Sequence, residues 1–534
     1  MKKFVPSTGG LVLGIMILVN AFIVTAAFTM NTEWAWALLP ALPLMMLAIH
    51  DRVQKKHAIL RNYPIVGHLR YLFESIRPEM RQYFFESDLD GKPFSRRQRS
   101  IVYQRSKNEK QTVAFGMQAD PSRPGYEWTA HSVYPVTIKE KDLRVWIGNE
   151  QCAQPYHASI FNIGAMSYGA LSKNAIAALN NGARLGGFAH NTGEGGISTY
   201  HLQGGDLIWQ IGTGYFGCRD EQGKFSPSAF RKNALRDKVK MIELKLSQGA
   251  KPGHGGILPA AKNTPEIAEI RLLAPGTTVH SPTTHSEFSN SIEMMEFLQY
   301  MRELSDGKPV GFKLCIGDPE EFRDICRAMT ITGIIPDFIS IDGAEGGTGA
   351  APLEFTDHLG MPMNDALAFA KQSLKEVKLD QKVKLIAAGK IITGFDILKA
   401  MALGASACYS ARGMMLSLGC IQALVCDSGR CPVGVATQDP KLYKGLDPAE
   451  KSVRVASFHT KTIMATKELM EACGYTDIHS VKPSKFYRRV SEYETKTFEE
   501  IYFNKQEWTL KPQPAFKSEA VFKRLIDLEE RGAS

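Results

Sequence analysis

From Phe161 to Gly413 short apolar runs alternate with amphipathic stretches, and this alternation limits the chain to folds built on a parallel sheet. "FNIGAM" precedes "SKNAIAALNNGARLG", "KPVGFKLCI" precedes "DPEEFRDICRAMTITG", "PDFISID" follows, and "KVKLIAAG" leads through "TGFDILKAMALGA" to "SACYSARG". Parallel strands need long crossovers, which the helical runs supply. About eight candidate strands fall within roughly 300 residues, and Gly, polar and acidic residues cluster just after their ends, where barrels build their sites. Both features favour an α/β chain closed into a (β/α)8 TIM barrel over an open doubly wound sheet. With 534 residues, 44% of them apolar and 22% charged, the chain is a folded protein with room for appendages.

Two apolar runs precede this body. Phe4 to Thr32 holds no charge, and Leu11 to Phe28 would span about 27 Å as a helix, enough to cross a bilayer. After Glu33, "WAWALLPALPLMMLAI" is shorter and interrupted by Pro40 and Pro43, with Trp34 and Trp36 as interface anchors. Lys2 and Lys3 come before the pair, Arg52, Lys55, Lys56 and Arg61 after it, and no Lys or Arg lies between. The positive-inside tendency therefore predicts a two-helix, multi-pass membrane protein with its catalytic domain in the cytoplasm. A cleaved signal peptide ending near Ala26 is the competing reading. The expected layout is a transmembrane hairpin over 1–52, a basic connecting region over 53–145, the barrel over 146–465 and a helical C-terminal extension over 466–534. A net charge of +9 spread along the chain, with no nucleic-acid-reading motif, gives no reason to expect a nucleic-acid partner.

Several loops suit a phosphate-bearing cofactor. "SIDGAEGGTGAAP" places Gly343, Gly346, Gly347, Thr348 and Gly349 after a strand, where backbone N–H groups can approach phosphate. Gly389 and Lys390 end the next strand and Arg412 follows the last one, the region where such barrels most often hold phosphate. Met166, Ser167, Asn191, Thr192 and Glu194 lie on Gly-rich loops, and the small and amide side chains among them suit a flat heterocycle. Ordinary βα turns would carry the same composition.

Lys245 and Lys251, with Arg271 further on, can converge on a carboxylate or on cofactor oxygens if Lys245 ends a strand; solvated surface lysines are the alternative. Lys313, between Phe312 and Leu314, is expected in the barrel mouth, where it needs an anionic partner. Of the nine cysteines, Cys420, Cys426 and Cys431 cluster, and the other six stand alone. Their x5 and x4 spacings do not fit the paired CxxC of most structural zinc sites, and three thiolates followed by Pro432 are closer to iron–sulfur ligation. Zinc and plain thiols stay open on spacing alone.

"GCIQALVCDSGRCPVGVATQDP" resembles the cluster segment of glutamate synthases, and "GAMSYGALSKNA", "LGGFAHNTGEGG", "LKLSQGAKPGHGG", "SIDGAEGGTGAAP" and "AAGKIITGFDILKAMALGA" follow that family's order over about residues 150 to 465. The resemblance implies FMN at the barrel mouth and a [3Fe–4S] cluster on Cys420, Cys426 and Cys431. It places Met166, Ser167, Lys313, Gly346, Gly347 and Gly389 around FMN, Lys245, Lys251 and Arg271 on the substrate carboxylates, and Glu194 where ammonia enters. The implied reaction is reductive amination of 2-oxoglutarate to L-glutamate.

The large synthases begin with a glutaminase domain and carry a C-terminal β-helix. This sequence shows neither, nor a recognisable dinucleotide fold, so the expected partners are free ammonia or a nitrogen-supplying protein, and ferredoxin or a reductase subunit. Self-association is left open. Where the family segment reads like KPGEGGQLP, this chain has "KPGHGGILP", and Ile257 in place of an amide weakens the case for 2-oxoglutarate itself. Two other functions compete: a membrane-linked flavin dehydrogenase oxidising another amino or hydroxy acid, and an electron-transfer subunit without a substrate.

Overall fold

A computed structural model describes residues 8–109, 112–139, 143–348 and 350–504. Lys2, Lys3, Gly349 and the part of the expected C-terminal extension beyond 504 lie outside the described residues. The chain divides into two compact units, Met1–Arg96 and Arg97–Ser534.

In the first unit, helix α1 (Thr8–Thr29) is followed by a 3-10 turn at Thr32–Ala37 and helix α2 (Leu38–Val53). Asn31 caps the turn by accepting from the Glu33 amide, and Pro43 sits inside α2. The stretches Gly9–Thr29 and Thr32–Val53 are each long and apolar enough to cross a bilayer. Asn20 donates to the Met16 carbonyl at 2.8 Å and reaches the Ala41 carbonyl at 3.5 Å, a polar link between the two helices. Past α2 the chain bends back. The buried Asp51 carboxylate accepts from the Ile65 amide at 2.9 Å and pairs with His68 Nε2 at 2.9 Å. His68 stands at the start of helix α3 (Gly67–Met80), which continues as one π-helical turn to Phe85.

Helix α4 (Arg96–Ser106) leads into the second unit. Eight parallel strands follow: β1 (Phe161–Ile163), β2 (Ala189–Asn191), β3 (Asp206–Ile211), β4 (Val239–Lys245), β5 (Val310–Leu314), β6 (Phe338–Asp342), β7 (Lys384–Ala388) and β8 (Ala407–Ser410). They pair in sequence order, and β8 closes on β1, with Tyr409 opposite Asn162. The alternation read from the sequence is thus a closed (β/α)8 barrel. Gly311 in β5 is required by packing: a Cβ there would lie 2.2 Å from the Phe338 carbonyl.

The barrel floor is not purely apolar. The even-numbered strands contribute one layer, Asn191, Glu243, Ser340 and Tyr409, as alternate strands do in such barrels. Glu243 accepts from Asn191 at 2.8 Å, from Gln210 at 2.6 Å and from Ser340 at 2.5 Å, so its buried carboxylate is ringed by donors.

Outside the barrel, helix α5 (Lys173–Gly186) packs on the long helix α6 (Pro448–Cys473), and Gly182 leaves room for Val455, which a Cβ would approach to 2.6 Å. Helix α4 bonds to α6 through Arg105 to Thr462 at 3.1 Å and Ser457 to the Arg105 carbonyl at 2.7 Å. The connecting region also supplies a strand, Glu127–Thr129. It pairs antiparallel with Phe486–Arg489, which pairs with Thr495–Thr497, so the largely helical C-terminal region also carries β structure.

Candidate active site and cysteine loop

The loops at the carboxyl ends of β2, β3 and β4 enclose a cavity lined by Glu194, Thr213, Lys245, Ser247, Gln248, Lys251 and His254, with Pro282 and Thr283 at its edge. Lys245 ends β4 and bonds Glu194 Oε1 at 2.9 Å. Burial would raise the Glu194 pKa, but Lys245, then Arg271 and Lys251, outweigh it and hold the carboxyl below its ordinary range. Lys251 is buried, and the one hydrogen bond of its ammonium among the described residues is a long one, 3.4 Å to the Gly255 carbonyl. Burial, then the neighbouring Lys245, lower its pKa, and Glu194 only partly offsets them. Three cations therefore meet one carboxylate, and the cavity carries an excess of positive charge suited to an anion.

Arg271 does not line this cavity. It lies behind Glu194, with its guanidinium 5.1 Å over the Phe216 ring and donating to the Tyr168 carbonyl at 3.1 Å. A Cβ on Gly169 or on Gly195 would come within 2.9 Å of its Nη2, so both glycines make its slot. Burial lowers its pKa to about 10, with Glu194 acting against the fall. The geometry makes Arg271 a support for Glu194. His285, which nothing in its local sequence marks, fixes the other side of Lys245: its Nε2 lies 2.9 Å from the Lys245 carbonyl and its Nδ1 2.9 Å from the Tyr215 hydroxyl. Burial lowers its pKa to about 4, so it is neutral, and Nε2–H donates to the carbonyl.

The partner expected for Lys313 is Asp342, at 3.2 Å. Burial alone would lower the Lys313 pKa, yet Asp342 and Glu243 outweigh it and keep the ammonium charged. Asp342 also accepts from the Gly249 amide at 3.0 Å. A Cβ on Gly249 would sit 2.0 Å from the Gly343 carbonyl, so the loops after β4 and β6 touch backbone to backbone. The loops after β1 and β2 meet likewise, with a Gly193 Cβ 2.8 Å from the Ser167 amide, which brings Met166 and Ser167 to the mouth. Asn191 and Thr192 point elsewhere: Asn191 bonds Glu243 in the floor, and the Thr192 hydroxyl accepts from the Gln210 amide at 3.1 Å.

Arg412 lies across Gly347, where an added Cβ would overlap its guanidinium at 1.3 Å. It is half-buried between the Gly-rich loop and the cysteines. Burial lowers its pKa, and Cys426, Asp342 and Cys420 act in the opposite direction. Gly346 and Thr348 share this loop, Gly389 faces Met363, and Lys390 is exposed beyond it with φ 53°. The loops expected for phosphate thus follow the neighbouring strands β6, β7 and β8, and of their residues Gly347 lies against the Arg412 cation.

The three cysteines lie on one loop, Cys431 buried and Cys420 and Cys426 half-buried. Burial, and then Cys426 and Cys431, push the Cys420 thiol up to about 11, and burial followed by Cys431 raises Cys426. Arg412 flanks them on one side and Lys262 on the other, the latter donating to the Cys426 carbonyl at 3.1 Å. Tyr103 of α4 donates to the Cys420 carbonyl at 2.7 Å, fixing the first cysteine to a helix more than three hundred positions away in sequence. Among the described residues no group of three ligand side chains is close enough to hold a single metal ion.

Two further details concern the loops around this cavity. Gly212, Gly214 and Gly217 have GxGxxG spacing, but the next helix begins only at Pro227, and a Gly212 Cβ would lie 2.5 Å from Glu194 Oε2. Gly212 makes room for Glu194, whereas Gly214 lies against the Phe216 ring and Gly217 against Gly196. Ile257 is half exposed in a short pair with His280 and does not line the cavity, whereas His254 does.

Residues 126–476 match the family described as the conserved region in glutamate synthase. A glutamate synthase large subunit-like protein, YerD, of Bacillus subtilis (strain 168) is 39% identical over 496 residues, covering 84% of this chain and 94% of that one. An archaeal-type glutamate synthase [NADPH] of Thermotoga maritima is 36% identical over 337 residues, 62% of this chain and 63% of that protein. A solved mandelate oxidase structure aligns with TM-score 0.40 at 15% identity, covering 80% of this chain and 99% of that one.

Proposed function

Because the chain belongs to the glutamate synthase family, we propose that it reductively aminates 2-oxoglutarate, or a related 2-oxo acid, with ammonia. The balance is one oxo acid, one ammonia, two electrons and two protons in, and one amino acid and one water out. The observation that carries this reading is the set of three cations around the single carboxylate Glu194, at the barrel end where sites of this fold are built.

Lys251, nearly without a partner, receives the substrate carboxylate, and Lys245 orients it beside Glu194. Glu194, held ionised, can accept a proton from ammonium on Oε2, the oxygen that Lys245 does not engage. The donor sets fit the cofactors that the family implies. Met166, Ser167, Lys313, Gly346 and Gly389 would border FMN, with Gly347, Thr348, Lys390 and Arg412 on its phosphate side, and Cys420, Cys426 and Cys431 would hold a [3Fe–4S] cluster between Arg412 and Lys262. When bound, FMN supplies the hydride and the cluster the electrons that renew it. Lys313, kept cationic by Asp342, stabilises negative charge developing at the mouth. Ferredoxin or a reductase subunit is the proposed donor, and the N-terminal pair of helices is proposed to anchor a cytoplasmic catalytic unit to the membrane.

Anaerobic purification followed by absorbance and EPR spectroscopy tests the cofactors; dithionite reduction and addition of 2-oxoglutarate with ammonium tests the reaction. Flavin reoxidation with stoichiometric glutamate supports it. Flavin without a cluster signal, or a Cys426→Ser variant that keeps its cluster, refutes the cysteine assignment. The apolar pair of helices favours one second reading, oxidation of another amino or hydroxy acid with electrons passed to a membrane carrier; flavin reduction by such an acid, and no reoxidation by the oxo acid, would establish it.

A further inference from the structure

The anchoring reading concerns α1 and α2, but the helix after them is left with an apolar face that nothing among the described residues covers. At 100° per residue, Leu69, Leu72, Phe73, Ile76 and Met80 fall within an arc of about 100°, and Tyr83 and Phe84 follow on the π-helical turn. These are large side chains and all are exposed, Leu72 by 52%, Phe73 by 63% and Phe84 by 74%. Arg77, Arg70 and Arg81 line one edge of the arc. Such a face on a water-soluble surface would be unfavourable, and its size and rim mark a place of attachment.

The position of the helix says what covers it. Its first turn is fixed to the end of α2, because Asp51 bonds both the Ile65 amide and His68. Arg52 donates to the Arg61 carbonyl at 3.2 Å, which closes the same bend. If α2 crosses a bilayer, Asp51 lies at the boundary where the span ends, and α3 starts at that depth. From Arg52 to Arg81 the chain carries seven Lys or Arg against Glu74 and Glu79, the charge pattern of a segment beside anionic headgroups. Helix α3 is too charged to span.

We infer that α3 lies in the plane of the same membrane, with the Leu72–Phe73–Phe84 face in the boundary between headgroups and acyl chains and the arginine edge among lipid phosphates. The inference rests on the proposed anchoring and adds a second, non-spanning attachment of different geometry.

Photocrosslinking separates the two. The full chain carrying p-benzoylphenylalanine at Leu18, Phe73 or Glu74 is reconstituted in vesicles of phosphatidylcholine and phosphatidylglycerol, irradiated and searched for lipid adducts by mass spectrometry. Adducts at positions 18 and 73 and their loss at 74 are expected. Adducts at 18 but none at 73, or equal yields at 73 and 74, overturn the in-plane helix while leaving the anchor standing. Adducts at neither 18 nor 73 overturn the anchor and this inference with it. A protein crosslink in place of lipid at 73 overturns it by revealing a protein partner. The same probe at Leu72, on the same face, must repeat the result, which guards against a local effect of one substitution.

Discussion

Lys251 has almost no hydrogen-bonding company and Lys245 has a strong partner, so the two lysines should respond differently to replacement. Lys251→Ala is expected to spare flavin binding and weaken the oxo acid by about 2–3 kcal/mol, roughly 30- to 150-fold in Kd, as measured by titration calorimetry. Lys245→Met removes the strongest of the charges that hold Glu194 down. The folded-state pKa of Glu194 is depressed, so its contribution to stability is present above the ordinary carboxylate value and lost as pH falls through the lower folded value. In Lys245→Met burial pushes that pKa up, and the acidic limb of the oxo-acid binding profile should move to higher pH; a limb that stays in place would show that Lys245 does not set the charge of Glu194. Lys245, Lys251, Lys313 and the three cysteines were legible in the sequence because charged or thiol side chains stood at strand ends or in a short cluster. Asp342, Glu243, His285 and Lys262 were not, because each acts through a partner distant in sequence. Arg271 was legible as a cation, but its burial behind Glu194 depends on slots made by Gly169 and Gly195.

Within the elements, two glycines give opposite predictions. Gly311→Ala in β5 drives a methyl into the Phe338 carbonyl, a backbone atom that cannot move aside, and should destabilise the barrel by about 2–3 kcal/mol in a denaturant midpoint measurement. Gly347→Ala meets only the tip of Arg412, which can swing away, so stability should change little while FMN or cluster content falls. A Gly347→Ala protein that is strongly destabilised would show that its loop supports the fold and not a ligand. The strand and helix alternation was readable because each strand is buried and each crossover is amphipathic. The polar floor was not, since single Asn, Glu, Ser and Tyr residues inside apolar strands form a layer only when the barrel closes.

For the whole molecule, the proposed anchoring predicts that the full chain stays with membranes after alkaline carbonate washing, and that in intact cells its catalytic unit is shielded from added protease. Release by carbonate would leave only a surface attachment. The apolar runs announced these helices by composition alone, whereas α3, with its apolar residues at helical spacing inside a basic stretch, was read only as part of a connecting region. At the barrel mouth, the contact of Gly249 with Gly343, tied by Asp342, joins the lysine-bearing loop to the glycine-rich one. Opening either loop alone would break that hydrogen bond and that contact. A ligand that shifts one loop is therefore expected to shift the other, a coupling measurable as mutual dependence of the affinities for cofactor and acid.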